Sequence, residues 1–187
     1  MKAPDFNKLM IYARAFSKYT PEREATLVEA SRDMLPRLGE VTENFYTTLQ
    51  SMPETRSYIE GRLDALKGTH HHWLEGLISG PCDVNYTEAM YKVGDVHVKV
   101  NLPVEFMAGG ICLIQDSFIA LVTDIYADDP ARARAVLEAT NAALGFSLMV
   151  MQESYQASSL AEELEKFLAI TGMSRTLFNN LAEAYKT

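Results

Sequence analysis

Prolines and glycines cut this chain into helix-length pieces, and that punctuation limits what it can become. Apolar residues recur at i, i+3 and i+4 through most of the sequence, and no alternating run is long enough to make a strand. Thr20-Pro21 reads as a cap followed by proline at the first helical position, opening a helix to about Leu35. Pro36 bends the chain into a second helix, to about Ser51, and Pro53 opens a short one, Glu54 to Ile59. Gly61 begins a segment that Gly80-Pro81 closes after Ser79. A helix from about Asn85 ends near Asn101, and Pro103 starts a long apolar one to about Ala127. Asp129-Pro130 caps the next, which reaches at least Tyr155 and at most Ile170, before Gly172 and Ser174 break the chain ahead of a last helix, Arg175 to Tyr185. This is an all-α pattern of about eight helices with short links, without repeats or low-complexity tracts.

A chain of 187 residues, 48% of them hydrophobic, can build one full core and is not a disordered segment. Its formal charge of -8 leaves no basic excess for phosphates, which argues against nucleic acid and against anionic membrane surfaces. The start of the chain, Met1 to Asp5, does not lead into a signal-peptide core. Cys82 and Cys112 form no C-x-x-C pattern, so a reducing cytoplasm is the expected location. The most apolar stretch, Val104 to Tyr126, contains Glu105, Gln115, Asp116 and Asp124. Those groups are costly in lipid, so it reads as a buried helix and not a membrane span.

From Gln156 onward the pattern changes. Leu160, Leu164, Phe167 and Leu168, then Leu177, Phe178 and Leu181, make a narrow apolar stripe on a charged background. Two readings stand: the tail folds back on its own domain, or it is a signalling or dimerisation helix.

Three of the four histidines are adjacent: His70, His71 and His72. Neighbours on a helix point about 100° apart and cannot converge on one metal ion. The cluster reads as mostly surface, with one member at most facing a pocket. His97 stands apart, on a helical face with Met90, Val93 and Val100. An imidazole in such a stripe is either a core histidine satisfied by one hydrogen bond or an axial ligand to haem iron, kept neutral by its apolar setting. Tyr46 likewise reads either as an inward-packed aromatic or as a polar group in a pocket, and Leu66, Thr69, His70 and Trp73 share one face of a third helix. There is no glycine-rich phosphate loop, no G-x-S-x-G and no Ser/His/Asp set, so nothing points to a hydrolase or nucleotide enzyme.

The segment Val93-Gly94-Asp95-Val96-His97-Val98-Lys99-Val100-Asn101-Leu102-Pro103 resembles the proximal-histidine signature of globin-coupled sensors, roughly I-G-x-x-H-x-R-I-G-L-P. Phe45-Tyr46 with Leu49 and Pro53-Glu54-Thr55 resembles the family's distal F-Y-x-x-L and P-E-T, and Trp73, Leu77 and Ser79-Gly80 resemble the end of its distal helix. The resemblance covers about residues 20 to 155. Asn101 replaces the usual glycine, and Val104-Glu105-Phe106-Met107 stands where many members have P-x-W-Y, so that Met107 takes the place of a tyrosine that can hydrogen-bond on the proximal side.

The resemblance implies a globin fold of the sensor type, with an extra N-terminal helix and a C-terminal helical extension. It divides the chain into a sensor domain, residues 1–155, and an extension or linker, 156–187. It implies haem b, iron protoporphyrin IX, held by His97 as the metal ligand and walled by Phe45, Tyr46, Leu66, Thr69, Met90, Val93 and Val100. In that scheme Tyr46 contacts dioxygen, Leu66 controls water entry and Thr69 is a second polar distal group. Carbon monoxide and nitric oxide are further candidate ligands. The implied assembly is a homodimer through helices of about 103–127 and 130–155, signalling to an output domain or partner rather than acting as an enzyme. The alternatives are a haem-free globin-like interaction module, a redox-active globin acting on nitric oxide or peroxide, and iron held by two histidines, with His70 as the sixth ligand.

Overall fold

A computed structural model describes residues 4–185. Met1–Ala3, read above for a leader, and Lys186 and Thr187 of the expected extension lie outside the described residues. Those described contain nine α-helices and no strand: α1 (Phe6–Ser17), α2 (Pro21–Met34), α3 (Leu38–Ser51), α4 (Pro53–Ile59), α5 (Leu63–Ser79), α6 (Val84–Lys99), α7 (Val104–Ile125), α8 (Pro130–Thr171) and α9 (Arg175–Ala184). The all-α expectation holds, including the extra N-terminal helix and the helical extension. Most helix starts have a chemical cause in the preceding residue. Asp5, Thr20, Asp83, Asp129 and Ser174 each accept a hydrogen bond from a first-turn backbone N–H. Pro21, Pro53 and Pro130 occupy first-turn positions, where a missing N–H costs nothing.

The boundaries differ from the expected ones where local sterics intervene. Pro36 sits inside a 3-10 turn, Leu35–Arg37, and the second helix starts only at Leu38. Arg37 there pairs with Glu40 and with Asp124 near the end of α7. α6 stops at Lys99, two residues before Asn101, which adopts φ 53°. Asparagine is among the few residues that tolerate this left-handed conformation, so it can stand where the family usually has glycine. Gly172, at φ 69°, ends α8 in the same way.

α8 is the spine. α6, α7, α2 and α1 all pack against it, α6 most extensively, while α3 lies between α5 and α7. Phe118, Phe146, Leu27, Leu74, Leu77 and Leu144 fill the centre. α7 is long and apolar enough to cross a membrane, but Met107, Ile111, Ile114, Phe118, Leu121 and Val122 put one of its faces into this core. Past Tyr155 the spine leaves the body: Leu160 and Ile170 are exposed, and only Leu168 is buried. α9 turns back on the end of α8, with Phe178 edge-on to Phe167 and Arg175 paired with Glu165. The expected division at 155/156 falls within this unbroken helix.

The closest approach of α6 to α8 is at Gly94. A Cβ there would lie 2.5 Å from the Met151 carbonyl oxygen and 2.7 Å from Ser154 Cβ. The nearest obstacle is backbone and cannot swing aside. Gly94→Ala should therefore destabilise the chain by about 1–3 kcal/mol, the usual cost of overpacking. Urea unfolding would show a lower midpoint at constant slope, and an unchanged midpoint would mean the helices are not this close.

Candidate functional site

A cavity of about 450 Å³ opens between α3, α5, α6 and α7, with α8 contributing Met151. That volume suits a ligand of drug or cofactor size. Its walls are mostly apolar: Leu49, Ile59, Leu66, Met90, Val93, Val96, Val100, Leu102, Phe106, Met107, Ile111 and Ile114. All eight residues expected from the sequence line it: Phe45 and Tyr46 on α3, Leu66 and Thr69 on α5, Met90, Val93 and His97 on α6, and Val100 just beyond.

His97 is partly buried in this apolar wall, and its Nδ1 is buried with no hydrogen-bond partner. Of the two readings open for it, a core histidine satisfied by one bond does not describe that nitrogen. Burial pulls its pKa below the ordinary 6.5, so the ring is neutral at pH 7 and has a lone pair to donate. Met107, 5% exposed on the same cavity wall, places a thioether where the resemblance expects a phenol.

Tyr46 is 6% exposed, and burial pushes its phenol up to about 12, with the Arg62 charge acting weakly against that. It therefore stays protonated and can donate, and no described residue accepts its hydrogen. Thr69 lines the cavity, but its hydroxyl donates to the Ala65 carbonyl at 3.0 Å, leaving no donor for a ligand. Arg62 and Lys92 are the cationic side chains on the lining. Lys92 pairs with Glu88 at 2.7 Å, whereas among the described residues the Arg62 side chain hydrogen-bonds the Tyr58 carbonyl alone, at 3.1 and 2.8 Å.

Of the three adjacent histidines, His70 faces the cavity. His72 is solvent-exposed, His71 is only partly covered, and both lie 3.5 Å from Glu75. His70 stacks on Phe45 at 4.7 Å, and its Nδ1 lies 3.1 Å from Thr42 Oγ1. Its Nε2 is a second buried ring nitrogen without a partner. Burial first, and His71 second, lower its pKa to about 4. Beside it, Trp73 Nε1 donates to Tyr86 Oη at 2.9 Å, and Tyr86 Oη lies 2.8 Å from Ser147 Oγ, pinning the pocket face of α5 to α8.

Sequence reasoning missed Tyr58, Ile59, Arg62 and Lys92, which reach the lining from α4, a loop and the outer side of α6. It also missed Gly110, whose Cβ would lie 3.4 Å from the Phe45 ring. A second hollow of about 320 Å³, between the end of α7 and the start of α8, is shallow and has no buried polar group aimed into it.

Among comparisons with known proteins, the Protoglobin family model matches residues 6–161. The globin domain of a Geobacter sulfurreducens globin-coupled sensor is 26% identical, with a TM-score of 0.72 over 78% of this chain and 97% of that one. The globin domain of E. coli DosC, in ferric and ferrous forms, shares the fold at 16% identity and a TM-score of 0.65, over 78% of this chain and 99% of that one. No curated protein matches significantly.

The buried histidines set a pH dependence. Between pH about 6.5 and 4 the unfolded chain protonates His70 while the folded chain does not, so stability is full above that window and falls as pH drops through it. The lowered pKa of His97 acts in the same direction. His70→Phe, which keeps a ring against Phe45, should flatten the loss of urea stability between pH 7 and 4.5. An identical pH slope in the variant would show that His70 is not buried neutral.

Proposed function

This chain belongs to the Protoglobin family, and we propose that it is a haem-based gas sensor, holding haem in the cavity between α3, α5, α6 and α7 and responding to dioxygen there. The observation that carries this reading is the neutral, unpartnered imidazole of His97 on the wall of an apolar cavity. His97 would hold the metal. Phe45, Leu66, Met90, Val93 and Val100 would pack on the ring faces, and Arg62 and Lys92 would meet the carboxylates of haem b. When bound, haem would supply a metal centre able to take a diatomic ligand.

The chain's own residues would do the rest. The Tyr46 phenol, protonated to about pH 12, would donate a hydrogen bond to dioxygen in the cavity. Such a bond, when charge-assisted, is worth about 1–3 kcal/mol, roughly 5- to 150-fold in affinity. Leu66 and its apolar neighbours would keep water out. Carbon monoxide and nitric oxide would also fit.

The sensor body would end near residue 155, with 156–187 as its helical extension. A homodimer would form through α7 and α8, where Ile119 is 53% exposed. Output would lie with a partner or a further domain rather than with catalysis in this chain. The unpaired Cys82 and Cys112 fit a reducing cytoplasm.

A second reading has one observation in its favour. His70 Nε2 also lacks a partner, and Thr42 holds its other nitrogen. His70 would then be a second residue holding the metal. A ferrous spectrum without added ligand would be low-spin in that case and high-spin if the position is free.

Titrating the haem-free chain with haem should give one equivalent bound with a strong Soret band, and His97→Ala should weaken binding by tenfold or more, as losing a coordinate bond of at least about 1.4 kcal/mol net requires. Tyr46→Phe should speed dioxygen release about 5- to 150-fold. No Soret band in the wild type would reject the haem reading, and an unchanged release rate would reject Tyr46 as donor.

A further inference from the structure

Hydroxyl groups inside a helix usually satisfy themselves on their own backbone, one turn back. Thr140 and Ser147 of α8 do so, donating to Val136 O at 2.9 Å and Ala143 O at 3.0 Å. Two turns further along, the habit breaks. Ser154 donates to Asp95 Oδ1 at 2.7 Å, and Ser158 donates to the same oxygen at 2.5 Å. Between them in sequence, Tyr155 donates to Leu102 O at 3.0 Å. Asp95 precedes His97 by two residues, and Leu102 follows it and is tied to it, with Leu102 N donating to His97 O at 2.9 Å. The three hydroxyls of α8 therefore grip α6 before the cavity histidine and the turn that follows the helix after it.

The grip has a hard stop beside it. At Gly94 the two helices are already as close as a backbone without Cβ allows, with Met151 O and Ser154 in the way of any side chain. α6 therefore cannot approach α8 further, and the hydroxyls resist its leaving. Past Ser158, α8 has only Leu168 buried before it ends at Thr171.

We propose that Ser154, Tyr155 and Ser158 are positioning residues that form a clasp, coupling the His97 end of α6 to the largely exposed 159–171 segment of α8. The clasp rests on the haem-sensor reading for its input, but its mechanical part does not. A displacement of His97 along the cavity moves Asp95 and Leu102 together, and the clasp turns that movement into a shift of the outgoing helix. Apolar contacts between the helices can slide. Three directional bonds on two sides of one residue cannot do so without breaking.

The test is hydrogen exchange, resolved by segment, on the full chain and on S154A/Y155F/S158A. Each is taken haem-free, haem-loaded and reduced, and haem-loaded with carbon monoxide. In the wild type, exchange across 159–171 should differ about fivefold or more between the last two states, the range of a modest coupling energy. The triple variant should lose that difference while its Soret band and carbon monoxide binding persist. A difference that survives in the variant, or is missing in the wild type, overturns the clasp. The haem-free arms judge the mechanical part alone. There, exchange across 159–171 should be about fivefold faster in the variant, with α2 and α3 unchanged, as expected for losing roughly 1 kcal/mol of hydrogen bonding. Equal exchange overturns the clasp even if no haem binds. A missing Soret band in the wild type is instead the failure of the sensor reading.

Discussion

A ring nitrogen of His97, buried with nothing to bond, is the constraint around which the rest of the molecule is arranged. Leaving a buried polar group unsatisfied costs about 1–3 kcal/mol, a sizeable share of the roughly 5–15 kcal/mol that holds a domain together. A chain keeps such a defect where the free lone pair is used. Here the defect comes with a large apolar cavity, a protonated phenol and a second buried ring nitrogen without a partner, Nε2 of His70, all on the same lining. An ordinary core would have filled that space with side chains.

The scaffold serves that cavity from two sides. On the α5 side, Trp73, Tyr86 and Ser147 form a hydrogen-bonded chain to α8 that fixes the face carrying Leu66, Thr69 and His70. On the α6 side, Gly94 sets the distance to the spine and the hydroxyls of α8 hold the histidine end. Both walls are referred to the same helix, which then runs out of the body. A sensor needs that layout, because a site whose walls move independently has no common element to bias.

Much of this was legible in the sequence, for identifiable reasons. Proline and glycine punctuation located most helices because those residues act locally, through a missing donor or a left-handed turn. Met90, Val93, His97 and Val100 were readable because one helical face carries them, Leu66 and Thr69 because they share a face of another helix, and Phe45 and Tyr46 through the family's distal motif. What escaped was set by tertiary packing. Arg62 reaches the lining from a loop, and Lys92 from the outer side of α6, where periodicity says nothing. The donor pair of Ser154 and Ser158 looks like any polar face until the fold sets Asp95 opposite it. The departures from the family pattern also make sense only in three dimensions. Asn101 keeps the left-handed turn that glycine would make, and Met107 puts a thioether on the cavity wall where the resemblance expects a phenol.

The central claim, that His97 is the ligand to the metal of a haem in this cavity, is tested most directly by replacing the side chain with its own fragment. His97→Gly empties the imidazole's place while leaving the other walls intact. Added imidazole should restore haem binding and a wild-type ferrous spectrum to that variant, saturating with concentration. If imidazole has no effect, or if His97→Gly binds haem with the wild-type spectrum unaided, the ligand is not His97.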